Sequence, residues 1–248
     1  MASTSASTTL SAVHRRRLRE VWRSAGWPCH DLIELDLLAA GLIERVRQAS
    51  GHETLRVTDA GVTVLAETRL RNQQALSAHE ALVERVATEM GRAGRIVWRG
   101  LSLRAHVTTA AGANWQMAMP DVFSIRHTTV EDYVEPIVHE VKVTRADLLA
   151  DLRQLAKRGA YLQLSSECWY VIRAGIAEPQ EIPPECGVML ARVEGLEVAR
   201  AAPKRPMRMS FGLWMALARA RPVDNEDGDD AQRWLGDPQA DVPGAAGD

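Results

Sequence analysis

The sequence predicts an α/β chain in two parts: a small, mostly helical unit with a two-stranded hairpin, then a mixed-sheet core flanked by helices. Three observations predict it. Residues 11–74 read helix, helix, strand, turn, strand, helix. From residue 75 onward the order is helix, several β-branched strands, helix, strand, hairpin, helix. At 248 residues and 46% hydrophobic content, the chain is long enough to build two cores. The expected divisions are a disordered start at 1–10, a first domain at 11–74, a second at 75–222, and an acidic disordered tail at 223–248.

In the first domain, residues 11–26 read as a helix with arginines outside and Leu18, Val21 and Trp22 inside, ended by Gly26 and Pro28. A second helix spans 31–41, closing at Gly41. Residues 42–48 and 54–58 read as strands around a tight turn with Gly51 at its tip, and 59–74 as a helix leading on towards residue 75. LLAAGLIERV followed by LRVTDAGVTVL resembles a winged-helix domain, which implies DNA contact. The helix at 31–41 carries Asp31, Glu34 and Asp36 and no base, a poor set for a phosphate backbone. Arg15, Arg16 and the rest of the 15–19 cluster, with Arg45, Arg47 and Arg56 on the hairpin, are the better phosphate ligands. Otherwise the unit serves homodimerisation or a protein partner.

In the second domain, residues 75–94 read as an amphipathic helix with Leu76, Leu82, Val83, Val86 and Met90 on one side. MAMPDVFSI (117–125) and PIVHEVKVT (136–144) read as strands joined by a polar connection. A helix follows Lys142, and then come a strand at 166–175, a loop or single turn at 181–186, a hairpin at 187–201 turning at Glu194-Gly195, and a helix at 207–222. His139 falls on the opposite strand face from Glu140 and reads as a core histidine. Trp98, Trp169 and Trp214 read as core. Trp115, in a loop, is the aromatic to consider for base stacking.

The net charge of −2 conceals a division. Residues 223–248 hold eight acids and one arginine, so the remaining 222 residues carry a net +5. Those basic groups are nearly all arginine, the better bidentate phosphate ligand. Cys29, Cys168 and Cys186 have no metal-ligand spacing, and they read as small buried hydrophobes in a reducing compartment. The start lacks a basic region followed by an apolar one, and no run of about 18 apolar residues occurs, so a cytoplasmic protein with no membrane association is expected.

The chemistry concentrates at Glu140-Val141-Lys142. The chain has 27 arginines and only three lysines, Lys142, Lys157 and Lys204, and eighteen residues separate Glu140 from Asp121 in the only Pro-Asp pair. Strand side chains alternate, so Glu140 and Lys142 share a face, and Asp121 converges on it if the strands pair. Two carboxylates and the Val141 carbonyl would make a hard oxygen site for Mg²⁺ or Mn²⁺. The lysine would orient or deprotonate a bound water, or stabilise charge on a phosphate.

This pattern resembles the PD-(D/E)XK nuclease superfamily, and EVKVTRADLLADLRQ (140–154) is similar to the MmcB-type family of DNA-repair nucleases. The likeness covers about residues 76–218. It departs where Pro precedes Asp121 and around Arg153–Gly159. It implies a restriction-endonuclease-like core, Asp121, Glu140 and Lys142 as catalytic residues, and a further acid from the preceding helix, Glu80 with Glu84 in reserve. Arg145, Gln154 and Lys157 are the expected DNA contacts around that site. The implied activity is metal-dependent hydrolysis of DNA in repair or in processing foreign DNA. A non-catalytic DNA-binding or regulatory protein that keeps the fold as scaffold is the alternative. No phosphate-cradling Gly-rich loop, Ser/His/Asp order or Cys nucleophile context points to another enzyme class.

Overall fold

A computed structural model describes residues 10–109 and 112–223. The expectations for residues 1–9 and 224–248 lie outside these. Leu10 and Val223, assigned to the two ends, belong to the folded parts. Leu10 packs on the first core, and the Val223 N–H donates to the Val97 carbonyl at 2.7 Å. The chain divides into two compact units, residues 1–76 and 77–248.

The first unit holds α1 (Ala12–Arg23), α2 (Leu32–Ala39), β1 (Ile43–Arg47), β2 (Glu53–Val57) and the start of α3 (Asp59–Arg92). Ser11 caps α1, and Asp31 caps α2 by accepting from the Glu34 N–H. Strands β1 and β2 pair antiparallel, with Arg45 opposite Leu55. Leu18, Val21, Leu37, Leu42, Ile43 and Leu55 form the core. Trp22, expected inside, is 58% exposed, because Leu18 and Val21 already fill the inward face of α1.

The three acids of α2 serve the unit itself. Glu34 is buried, accepts from the Cys29 and His30 N–H groups and pairs with Arg45 at 3.1 Å. Asp31 pairs with Arg17, and Asp36 with His14. Cys29 is exposed rather than buried; Cys168 and Cys186 are buried as expected.

Helix α3 is one helix of 34 residues, so the helix at 59–74 leads on through residue 75 and joins the one expected at 75–94. Nothing around residue 75 stops a helix: Gln, Ala and Leu are all good helix formers. Leu76, assigned to its apolar stripe, is exposed, whereas Leu82, Val83 and Val86 are buried.

The second unit is built on a six-stranded sheet of order β10-β9-β8-β7-β6-β3. Its strands are β3 (Arg95–Arg99), β6 (Val122–Arg126), β7 (Ile137–Lys142), β8 (Glu167–Arg173), β9 (Gly187–Ala191) and β10 (Leu196–Arg200). The pairs β7–β8 and β8–β9 are parallel, and the rest are antiparallel, so the sheet is mixed. A separate hairpin joins β4 (Leu103–Thr109) to β5 (Gly112–Ala118).

One sheet face packs under the end of α3 through Val83, Val86, Val122, Val141 and Trp169. The other face packs against α4 (Arg145–Leu152), α5 (Leu155–Leu164), α6 (Phe211–Arg219) and the β4–β5 hairpin. Three expectations are corrected here. The 117–125 segment is two strands, β5 and β6, parted at Met119-Pro120-Asp121, where proline has no N–H for a ladder. The Trp115 loop is part of β5, and the indole is exposed, edge-on to His106. Trp98 and Trp169 are buried, but Trp214 is 37% exposed, with Leu213 and Leu217 supplying the buried face of α6. No described helix is long and apolar enough to cross a membrane.

Candidate active site

Strand register brings the site together. Val122 stands opposite His139, so Asp121, one residue before β6, comes beside Glu140 on β7. The Asp121 carboxylate accepts the Val141 N–H at 2.7 Å. Alternation along β7 points Glu140 and Lys142 towards α4 and α5, while His139 and Val141 face α3. Val141 is fully buried, and its backbone N–H meets the site at Asp121.

Glu140, 2% exposed, has both carboxylate oxygens engaged. Oε1 accepts from Lys142 Nζ at 2.7 Å and from Lys157 Nζ at 2.6 Å. Oε2 lies 2.8 Å from the Tyr161 hydroxyl, which is also 3.0 Å from the Met119 carbonyl. A phenol has one proton, so these two acceptors share it. Lys157 also binds Asp151, whose other oxygen takes the Tyr170 hydroxyl at 2.7 Å. Lys142 lies 3.4 Å from Asp147 and 3.7 Å from Asp151. Two buried carboxylates and two ammonium groups thus form one compensated cluster. Breaking such a cluster leaves an unpaired buried charge, which typically costs about 3–5 kcal/mol.

Burial and the neighbouring Asp121 charge push the Glu140 carboxyl up, against the pull of Lys142 and Lys157. For Lys142, burial acts to lower the ammonium, but Glu140 and Asp151 outweigh it and hold it well above the ordinary lysine range. Lys157 follows the same balance. For Asp151, burial alone would raise the carboxyl; Lys142, Lys157 and Tyr170 together bring it down. Both tyrosines are driven far above their ordinary range by burial and by the carboxylates they contact.

Beside this cluster a cleft of about 410 Å³ opens between α3 and the sheet, lined by His79, Glu80, Arg99, Met119, Pro120 and Asp121. His79 Nε2 is 3.4 Å from Asp121. Glu80 and Glu84 both pair with Arg99 at the end of β3. Among the described residues, no group of three or more His, Cys, Asp or Glu side chains is arranged to hold a metal ion. The donor types suit a divalent cation, since Asp121, Glu140 and Glu80 are all carboxylates near one cleft. Their arrangement does not close around one: lysines and a tyrosine hold Glu140, and Arg99 holds Glu80.

The expected phosphate contacts fare differently. Arg145 opens α4 behind the Thr144 cap, but it binds Glu181 at 2.7 Å and the Ile176 carbonyl at 2.9 Å, neither of them its neighbours Asp147 or Asp151. That pair, helped by the Glu178 N–H, lowers the Glu181 carboxyl to about 2. Arg200 donates to the carbonyls of Pro179, Ile182, Pro183 and Cys186 and so fixes the loop that presents Glu181. Lys157, expected on DNA, is tied into the carboxylate cluster. Gln154 is exposed at the break between α4 and α5, which were expected as one helix. In the first unit, Arg16 pairs with Glu20, Arg15 is half-buried, and Arg47 is exposed.

The sequence reading missed Asp151, Tyr161 and Tyr170. Scarcity was the available signal. The chain has three lysines and three tyrosines, and two of each meet in this cluster.

No protein-family model matches the chain, and no curated protein matches it. Among solved structures it is similar to the SPO1766 protein of unknown function from Silicibacter pomeroyi, at 22% identity over 55% of this chain and 77% of that one, with a TM-score of 0.37. A likeness of that size bears on neither fold family nor activity.

Proposed function

We propose that the chain hydrolyses phosphodiester bonds of DNA in a metal-dependent reaction, on a restriction-endonuclease-like core preceded by a winged-helix unit. One observation carries the proposal: strand register sets the acid of the only Pro-Asp pair beside Glu140, and Lys142 binds that same Glu140. A bound Mg²⁺ or Mn²⁺ would supply an acidified water and offset charge on the phosphate. Asp121 and Glu140 would hold it, with Glu80 completing the set once freed from Arg99. Lys142 keeps its ammonium fixed between Glu140, Asp147 and Asp151. For Glu140 to serve, Lys157 must leave Oε1; its 23% exposure leaves it room to swing towards a phosphate. The helix–helix–hairpin–helix order of the first unit supports DNA contact there through Arg15, Arg16 and Arg47.

A second reading rests on Lys157 itself. Its ammonium bridges Glu140 and Asp151 where a cation would be needed, which favours a DNA-binding or regulatory protein that keeps the fold as scaffold. The deciding experiment incubates labelled single-stranded, duplex and branched DNA with Mg²⁺ or Mn²⁺, using wild type, Asp121→Asn and Lys142→Met. Metal-requiring cleavage that both variants lose supports the nuclease. Binding with no cleavage under either ion supports the scaffold.

A further inference from the structure

The first unit carries a groove that the site above does not use. It has a volume of about 630 Å³ and runs between α1 and the first turns of α3, within residues 19–76. Arg19, Trp22 and Arg23 line it from α1, at i, i+3 and i+4 on one helix face; Arg69, Asn72 and Gln73 line it from α3 at the same spacing. No aspartate or glutamate lines it.

Two features mark this groove, although Arg15, Arg47 and Arg71 elsewhere in the unit also lack a carboxylate partner among the described residues. Arg16, Arg17, Arg45 and Arg56 are each neutralised by a carboxylate, from Glu20, Asp31, Glu34 or Glu44. Arg19, Arg23 and Arg69 have no carboxylate partner among the described residues, so three uncompensated guanidinium groups surround one groove. In the middle of them Trp22 leaves more than half its surface in water, although the α1 face beside it is the buried one. A solvated indole and free arginines lining one groove offer a flat apolar surface and anion-binding forks together.

The geometry points to a binding groove for single-stranded nucleic acid, in which an unpaired base stacks on Trp22 and Arg19, Arg23 and Arg69 hold the flanking phosphates. Every base has a π-face, so stacking tolerates any sequence, whereas a base inside a duplex is already stacked on its neighbours. Asn72 and Gln73 add amide donors and acceptors at the groove edge for the base or sugar. An acidic protein segment would satisfy the arginines but leave the indole without a flat partner. The proposal does not depend on hydrolysis in the second unit.

The test uses the full chain in EDTA, so that binding is read without cleavage. Fluorescence anisotropy measures affinity for a labelled oligo(dT), an abasic strand of the same length and a duplex of the same length. Trp22→Ala should weaken oligo(dT) binding about 5- to 150-fold, and Trp22→Phe should restore most of it. The abasic strand should bind wild type about as weakly as oligo(dT) binds Trp22→Ala. Arg23→Ala and Arg69→Ala should each reduce the slope of log affinity against log salt by about 0.7. Thermal unfolding checks that the variants keep the core of Leu18 and Val21. Equal oligo(dT) affinity in wild type and Trp22→Ala, no binding by wild type, or tighter binding of the duplex would each overturn the proposal. Trp22-dependent displacement of the strand by poly-aspartate at lower concentration than by unlabelled oligo(dT) would overturn it in favour of an acidic protein partner.

Discussion

His139 sits in the centre of the sheet, 1% exposed, with both ring nitrogens buried and without a hydrogen-bond partner among the described residues. Burial, and then the positive charge of Arg95, lower its pKa from 6.5 to about 3. Arg95 is anchored in place by Ser124 and the Glu135 carbonyl. The folded-state pKa is depressed, so the unfolded chain takes up a proton below pH 6.5 that the folded chain refuses until about pH 3. The titration of His139 therefore removes no stability above pH 6.5 and removes it progressively as pH falls through that window. The slope approaches about 1.4 kcal/mol per pH unit, which gives about 2 kcal/mol lost between pH 7 and pH 5 and about 4–5 kcal/mol by pH 3.

His139→Phe removes the titrating group and fills a similar volume. Urea unfolding followed by tryptophan fluorescence at pH 5, 6, 7 and 8 should show the variant losing about 2 kcal/mol less than wild type between pH 7 and 5. The other six histidines are common to both proteins and cancel. At pH 7 the variant should be as stable as wild type or more so, because two unpaired polar atoms leave the core. Parallel pH curves for the two proteins, or a His139 resonance titrating near pH 6.5, would refute the reasoning.

Two further outcomes test the packing around the site. Tyr161→Phe deletes the proton shared by Glu140 and the Met119 carbonyl, and it should cost about 1–3 kcal/mol in urea unfolding at pH 7; an unchanged midpoint would mean that water replaces the hydroxyl. Gly187→Ala would place a methyl 2.4 Å from the Trp169 ring and 2.7 Å from the Ala202 nitrogen. Both neighbours are fixed in or beside the sheet, so calorimetry should show a destabilisation of about 1–3 kcal/mol or more.

Local chemistry made much of this molecule legible. Ser11, Asp31 and Thr144 announce helix starts because a short side-chain oxygen there meets a free backbone N–H. Val- and Ile-rich runs announce β7 and β8, and period-two alternation put Glu140 and Lys142 on one face and His139 on the other. The meeting of Asp121 with Glu140 followed from assuming that their strands pair. The errors came where local signals are silent. Nothing near residue 75 marks a helix end, and local signals do not say that the helices at 59–74 and 75–94 run on as one. Trp22 and Trp214 were placed inside because hydrophobicity does not say which apolar face finds a partner. The β4–β5 hairpin carries only a weak local signal, because its buried side chains, Leu103, Ala105, Val107 and Ala118, find their core partners far away in the chain.

The sequence by itself determined that the chain folds as two units, that the second is a mixed sheet between helices, and that an acid-x-lysine pair lies on one strand face. These depend on side-chain spacing over a few residues, which short-range sterics and burial settle. Only the tertiary structure decided which charges meet. Lys157 and Tyr161 reach Glu140 because α5 folds back over β7, Glu181 reaches Arg145 because Arg200 gathers four carbonyls of its loop, and Arg99 holds Glu80 because β3 ends beside α3. Electrostatic partners are chosen by distance in space between residues far apart in the chain, and no spacing along a strand or helix encodes that distance.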